Sequence, residues 1–392
     1  MNIFFIVFFT ILSLMHAYIG LRIIPPLGLS FYPRIIAWVA LTMGAILPVL
    51  PVILRSRGVE SNTIDQFSLV GYISLGFFAL TFIAVISKDF ISICIVYVKK
   101  LLDLFVSTTP QTVDQSRRDF IQKITSIGII MLTGISTIKG FYNARKTPTI
   151  IKVKVPIAGL SKDLDGLTIV QVSDLHVGPT IKKDYVEMVV DNVNKLNPDI
   201  IAFTGDLVDG SPKHLLKEMQ SLNKLESKYG KYFVTGNHEY YNGVDRWLEE
   251  TEKFGFVNLI DSHTIIKKGG GAISLGGITD YTSPRMKPEH KSDPKIAFAG
   301  SPKNTPKILL AHQPNSIFSA KKEGVALQIS GHTHGGQFWP FTYAVRVANA
   351  YTAGLHNHDG TFIYVNSGTG YWGPPLRLAV ASEITHITLK AA

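Results

Sequence analysis

Three nearly uncharged apolar runs, residues 2–21, 35–54 and 67–86, fill most of the first 86 positions of this 392-residue chain. They constrain its fold more than any other feature. Each is long enough to cross the hydrocarbon of a bilayer as a helix. A fourth run, residues 124–138, reaches that length with its flanks. A single such run would fit the core of a soluble domain, but three in close succession do not. The short run 90–98 follows Lys88-Asp89; it either prolongs the third helix or lies at the interface. Residues 1–146 therefore read as an all-α transmembrane region of about four helices, and residues 147–392 as a separate domain.

The charge balance follows the same division. Of the formal net charge of +10, residues 1–146 contribute +7, from 13 Lys and Arg against 6 Asp and Glu. A basic chain invites a nucleic-acid reading, but charge placed beside apolar spans sets membrane orientation instead, so no nucleic-acid partner is expected. Membrane lipids are the expected surroundings. Cys94 is the only cysteine and falls in an apolar run, which excludes an intrachain disulfide.

The loops give mixed signals on orientation. Lys99, Lys100, Arg117, Arg118 and Lys123 precede the fourth run, with Arg22 and Arg34 in the first loop. Against them stand Arg55, Arg57, Lys139, Arg145 and Lys146. Ser116-Arg117-Arg118-Asp119-Phe120, followed by a moderately apolar stretch, resembles a bacterial twin-arginine export signal, although it lies internally. A basic cytoplasmic loop is the alternative. The expectation is a multi-pass protein of the bacterial inner membrane with its second domain on the outer side, the cytoplasmic side being the alternative.

Beyond residue 147 the pattern turns to alternating strands and helices. Strands are expected at 167–172, 200–203 and 232–234, with helices at 183–196, 212–225 and 244–254. Shorter strands follow at 272–275, 308–311, 326–329, 361–365 and 384–389. Parallel strands buried on both faces, then more hairpin-like ones, predict an α/β fold in which two sheets form a sandwich flanked by helices.

Five short segments carry the chemistry: Ser173-Asp174-Leu175-His176, Thr204-Gly205-Asp206, Thr235-Gly236-Asn237-His238-Glu239, Leu310-Ala311-His312, and Ser330-Gly331-His332-Thr333-His334-Gly335-Gly336. Each follows a predicted strand, where a rigid frame holds side chains at a common rim. Glycines 205, 236 and 331 are expected to make these turns tight, each through a backbone conformation denied to residues with a Cβ. Carboxylate, amide and imidazole donors without thiolate suit first-row divalent ions such as Mn, Fe or Zn. A lone Asp-x-His or Gly-Asp is weak; all five in order are not.

That order, D-x-H, G-D, G-N-H-[DE], a lone His and G-H-x-H, resembles the calcineurin-like metallophosphoesterases over residues 151–392. Gly-His-Thr-His-Gly-Gly-Gln and the later Asn366-Ser367-Gly368-Thr369-Gly370 look most like the membrane-associated YkuE/YaeI-type branch. The resemblance implies an α/β/β/α sandwich and two divalent metal ions. Asp174, His176, Asp206 and His334 would hold the first, and Asp206, Asn237, His312 and His332 the second. It also implies a metal-bridged hydroxide that attacks a phosphomonoester, phosphodiester or pyrophosphate, with His238 as proton donor or electrostatic stabiliser. Glu239 would support the ligands from behind.

Other residues have blander expectations. His263, His290, His356, His358, His386 and His214 read as surface or satisfied side chains, and Asp209 and Asp280 as turn residues, with a substrate contact as the alternative. The aromatics of Phe338-Trp339-Pro340-Phe341 and Tyr371-Trp372 read as loop packing, with a lipid-facing rim as the alternative, and Tyr240-Tyr241 as candidates for a pocket wall. The substrate is phosphorylated and, given the spans, a lipid-linked or envelope phosphate is attractive. A UDP-2,3-diacylglucosamine-type pyrophosphatase of lipid A biosynthesis is a second reading, and a metal-stabilised scaffold or sensor a third.

Overall fold

Strands that are apolar without interruption need cover on both faces, and the computed structural model, which describes residues 3–105 and 114–392, shows how they obtain it. Asn2, where the first expected span begins, lies outside the described residues. Twelve strands form: β1 (Thr149–Ile157), β2 (Thr168–Val172), β3 (Ile200–Thr204), β4 (Lys231–Val234), β5 (Phe256–Asn258), β6 (Ser262–Lys268), β7 (Gly271–Gly277), β8 (Lys307–Leu310), β9 (Val325–Ser330), β10 (Gly354–His358), β11 (Thr361–Val365) and β12 (Glu383–Ala391). One mixed sheet has the order β1-β12-β2-β3-β4-β5 and the other β10-β11-β9-β8-β7-β6.

The two-residue period of a strand distributes side chains between layers. In β3, Ile200 and Ala202 enter the core between the sheets, where they join Ile308, Leu310, Leu327 and Ile329 of the second sheet. Ile201 and Phe203 belong to the opposite layer, with Val186, Val189, Val190 and Val193 of the helix Lys183–Asn194. On the far side of the second sheet, Leu309 and Ala311 pack with Ala297, Phe298 and Ala320. The expected α/β/β/α sandwich is therefore present. Strands β2, β3 and β4 run parallel to one another, as do β7, β8, β9 and β11. The carboxyl ends of the central strands in each sheet thus gather at one rim.

The expected helix at 212–225 is instead one short turn, Pro212–Leu215, followed by two 3-10 segments. Strands β1, β5, β6 and β10 were not expected; all are edge or near-edge strands with a broken apolar pattern.

The chain divides into two compact units, Met1–Val59 with Gln66–Phe141, and Glu60–Asp65 with Tyr142–Ala392. Among the described residues, four helices are long and apolar enough to cross a membrane: Val7–Leu27, Phe31–Ser56, Asn62–Leu102 and Gln115–Arg145, with residues 62–65 and 142–145 belonging to the second unit. The third takes in residues 90–98 and runs for 41 residues, about 60 Å at 1.5 Å per residue. The second is interrupted near Pro48, which caps Val49–Ser56. Small residues let these helices approach closely. A Cβ on Gly71 would lie 2.5 Å from the Leu47 carbonyl oxygen, and Thr81 donates to Thr133 across 3.1 Å. Leu14, Ile36, Ile95 and Ile135 point outward among many other exposed apolar side chains, a surface suited to lipid. In the second unit, Ala144 at the end of the fourth helix is part of the domain core.

Candidate metal centre

The five segments form adjoining turns at the rim, after β2, β3, β4, β8 and β9. Backbone bonds join them beyond the ends of the sheets. Asp174 N–H donates to Gly205 O (3.0 Å), His176 N–H to Asp206 O (3.1 Å), and Gly331 N–H to His312 O (2.9 Å).

Five of the seven expected ligands have left-handed backbones: Asp174 (φ 53°), His176 (51°), Asp206 (52°), His332 (71°) and His334 (50°). Each such non-glycine residue costs about 1–3 kcal/mol, and the conformation persists only where its surroundings impose it. The Asp-x-His and His-x-His spacings are therefore also alternations of backbone conformation. Of the three glycines, only Gly205 has a positive φ, 85°. Gly236 is extended and Gly331 is not left-handed either, so both are required for space rather than conformational freedom. A Cβ on Gly236 would stand 2.2 Å from Asp206 Oδ1, and one on Gly331 1.9 Å from Ser173 Oγ.

The side chains converge in three overlapping groups, Asp174 with His176 and His334, Asp206 with His312 and His332, and His176 with Asp206 and His238. Within each group the donor atoms lie within 4.8 Å of one another. His176 Nε2 faces His334 Nε2 at 3.1 Å, and His332 Nδ1 faces His312 Nε2 at 3.3 Å. Asp206 Oδ2 is 3.2 Å from His312 Nε2 and 3.7 Å from His176 Nε2, and Asp174 Oδ1 is 3.4 Å from His334 Nε2. Asn237 Oδ1 is buried and has no hydrogen-bond partner. Imidazole nitrogens aimed at each other, an orphaned amide oxygen and two enclosed carboxylates fit divalent cations of the Mn, Fe or Zn kind.

The protein's own charges divide the donors. Burial works against the Asp206 carboxylate, yet His312, His238 and His176 hold it well below the usual carboxylate range. Asp209 is likewise driven down by His176 and His238 against its burial. Burial depresses His332, helped by His312, and depresses His334 strongly, helped by His176 and Arg377. Neutral imidazole and anionic carboxylate are the forms that bind metal. His238 and His312 move the other way: burial opposes the charge of each, but Asp206 and Asp209 raise His238 to about 10, and Asp206 with Asp174 holds His312 well above the ordinary imidazole range, so that a metal at His312 would have to displace a proton.

Three residues behind the centre set its geometry. Glu239 accepts from the backbone N–H groups of Asp206 (3.0 Å), Leu207 (2.8 Å) and Gly236 (2.7 Å), tying two turns together. Burial, with Asp206 adding to it, raises its pKa to about 7. Asp209, expected to cap a turn or else to touch substrate, contacts His238 Nδ1 with one oxygen and faces His176 Nδ1 at 3.2 Å with the other. Arg377, with no expected role, is buried and donates to the carbonyls of His334 (3.1 Å), Ser367 (2.7 Å) and Gly368 (3.2 Å). The Asp-Gly pair at 209–210 could have drawn attention to Asp209; nothing in the local sequence marks Arg377.

The remaining histidines stay apart from the described donor groups. His263 contacts the Ala297 carbonyl and His290 the Tyr240 hydroxyl, at 2.7 and 2.6 Å. Asp280 accepts from Thr282 N–H and from Gln313, the neighbour of His312. The late aromatics divide by burial. Phe338 and Tyr371 are buried, whereas Trp339, Phe341 and Trp372 are exposed. Trp372 and Tyr241 meet the His238 ring with centroids 5.7 and 5.3 Å away.

Gly331→Ala places a methyl group 2.3 Å from Asp174 Oδ2. It is expected to abolish most metal binding while costing about 1–3 kcal/mol of stability, measured by metal analysis and thermal unfolding of the purified chain. Undiminished metal content would contradict the spatial role given to this glycine.

Comparison with known proteins agrees with the geometry. The calcineurin-like phosphoesterase family model matches residues 167–336, a span that contains all five turns. A transmembrane protein with metallophosphoesterase domain from Danio rerio is 36% identical over 271 residues, which are 67% of this chain and 62% of that protein. The chain thus spans less than two thirds of that relative. An uncharacterized metallophosphoesterase of Helicobacter pylori is 36% identical over 280 residues, 70% of this chain and 72% of its own length. The uncharacterized metallophosphoesterase YkuE of Bacillus subtilis is 30% identical over 235 residues, covering 58% and 80% of the two chains. With the five turns, their donors and these relatives in agreement, the chain belongs to the calcineurin-like metallophosphoesterases.

Proposed function

We propose that the protein is a membrane-anchored phosphoesterase with a two-metal site, which cleaves a phosphomonoester, phosphodiester or pyrophosphate bond. The observation that carries this reading is the position of Asp206, whose Oδ2 lies within reach of His176, His312 and His238. One metal would be held by Asp174, His176, Asp206 and His334, and the other by Asp206, Asn237, His312 and His332. Bound there, divalent ions would act as Lewis acids on the phosphoryl oxygens and would make water a nucleophile at neutral pH.

The chain's own contribution is orientation and proton delivery. Asp209 holds His238 through Nδ1, which leaves Nε2 facing the centre, 3.9 Å from Asp206 Oδ2. A proton there is placed to reach the leaving-group oxygen. Trp372 and Tyr241 flank that ring and restrict the approach to it. The spans make a lipid-linked or envelope phosphate the favoured substrate. A UDP-2,3-diacylglucosamine-type pyrophosphatase is the alternative within the same chemistry. A purely structural use of metal fits less well, because Asp209 orients a histidine that scaffolding would not require.

Asp206→Asn or His332→Ala is expected to remove nearly all hydrolysis of aryl phosphates while circular dichroism stays unchanged; normal turnover in both variants would overturn the mechanism. His238→Ala should slow esters with poor leaving groups by about 10²–10⁴-fold and 4-nitrophenyl esters much less. Equal losses with both would remove the acid role.

The twin-arginine resemblance supports export of the domain to the outer face of the bacterial inner membrane; Arg117 and Arg118 lie in the first turn of the helix Gln115–Arg145. A cysteine added after Ala392, in a Cys94→Ser background, should react with a membrane-impermeant maleimide in intact cells. Labelling only after lysis would place the domain in the cytoplasm.

A further inference from the structure

The helix Phe341–Ala348 follows the His334 turn closely, and none of its eight residues is buried. Phe341 and Tyr343 are exposed, and Val347 is 91% exposed. Trp339 just before the helix is 52% exposed, and Trp372 at the His238 ring is 55% exposed. Only Thr342 and Val345 are half-buried, and an eight-residue helix with so little packing is marginal in water. Its composition is that of a membrane interface, where Trp and Tyr concentrate at headgroup level and an arginine reaches toward phosphates. Arg346 is the only charged residue in the helix.

We propose that this aromatic ridge docks on the lipid–water interface of the bilayer in which the chain's own spans sit. Continuity along the chain supports that occupant. The fourth apolar run ends at Ile138, and from Tyr142 the same helix already belongs to the domain unit. Seven residues from Ile138 to Arg145 rise only about 10 Å, so a headgroup layer is within reach of the domain. Inside that unit Arg145 donates to the Thr180 carbonyl and to the Tyr371 hydroxyl, at 3.1 and 3.3 Å. Tyr371 directly precedes Trp372 of the ridge. The proposal is independent of the hydrolytic reading, since it concerns where the domain's surface lies.

The test uses the full chain in vesicles of phosphatidylcholine and phosphatidylglycerol, with Cys94→Ser and a nitroxide on Val347→Cys. A second label on Glu226→Cys, at an exposed polar position, reports the aqueous reference. The ridge label should collide with oxygen several-fold more than with a water-soluble nickel chelate, and the reference label should show the reverse. Adding Phe341→Ser and Tyr343→Ser should return the ridge label to the reference behaviour. Free access of nickel to position 347 would overturn the proposal. So would low collision rates with both reagents, the signature of a protein partner or a second copy covering the ridge. Hydrolysis of bis(4-nitrophenyl) phosphate by the same samples keeps the two readings apart. An inactive chain with a lipid-immersed label would fail only the hydrolytic one.

Discussion

An enclosed carboxylate, Asp206, is the interaction on which the rest of the rim depends. Removing its charge from water is costly unless partners replace the lost hydration. Here the imidazoles of His312, His238 and His176 surround it closely enough to keep it anionic. Its backbone is fixed as firmly as its side chain. Glu239 accepts its N–H, its carbonyl accepts from His176, and its Oδ1 accepts from the N–H of His238. One residue thereby sets the positions of three neighbouring turns.

The two sheets make this arrangement sustainable. Left-handed backbones at five of the expected ligand positions amount to stored strain, and two glycine contacts leave no room for a methyl group. Strands packed on both faces resist the relaxation that would release it. Arg377 performs the same service from the other direction, clasping the carbonyls of His334, Ser367, Gly368 and Gly370. Site precision thus comes from rigid strand ends and from hydrogen bonds between loops, with little help from the loops' own length.

The placement of the candidate donors is largely legible in the sequence, because they follow buried strands whose apolar runs are unbroken and whose end turns are short. All seven expected ligands and His238 lie at the rim, and the central strands appear where their apolar runs predicted them. Edge strands were harder to see. In β1 the sequence Ile151-Lys152-Val153-Lys154-Val155 alternates apolar and charged residues, as expected for a strand covered on one face, and β10 carries two histidines and an asparagine in five residues. The supporting residues were hidden for another reason. Asp209 and Arg377 act on partners brought near only by the fold, and Arg377 lies 43 positions from the histidine it steadies. The roles of Gly236 and Gly331 were misjudged because steric closeness between turns leaves no local trace.

The central claim is that these donors form a hydrolytic two-metal centre. Its most direct test is metal analysis of the purified full-length chain, together with hydrolysis of mono- and bis-aryl phosphates before and after chelation and after return of Mn. The account predicts two metals per chain and hydrolysis that chelation removes and Mn restores. One metal or none, with no turnover when Mn is supplied, would contradict it.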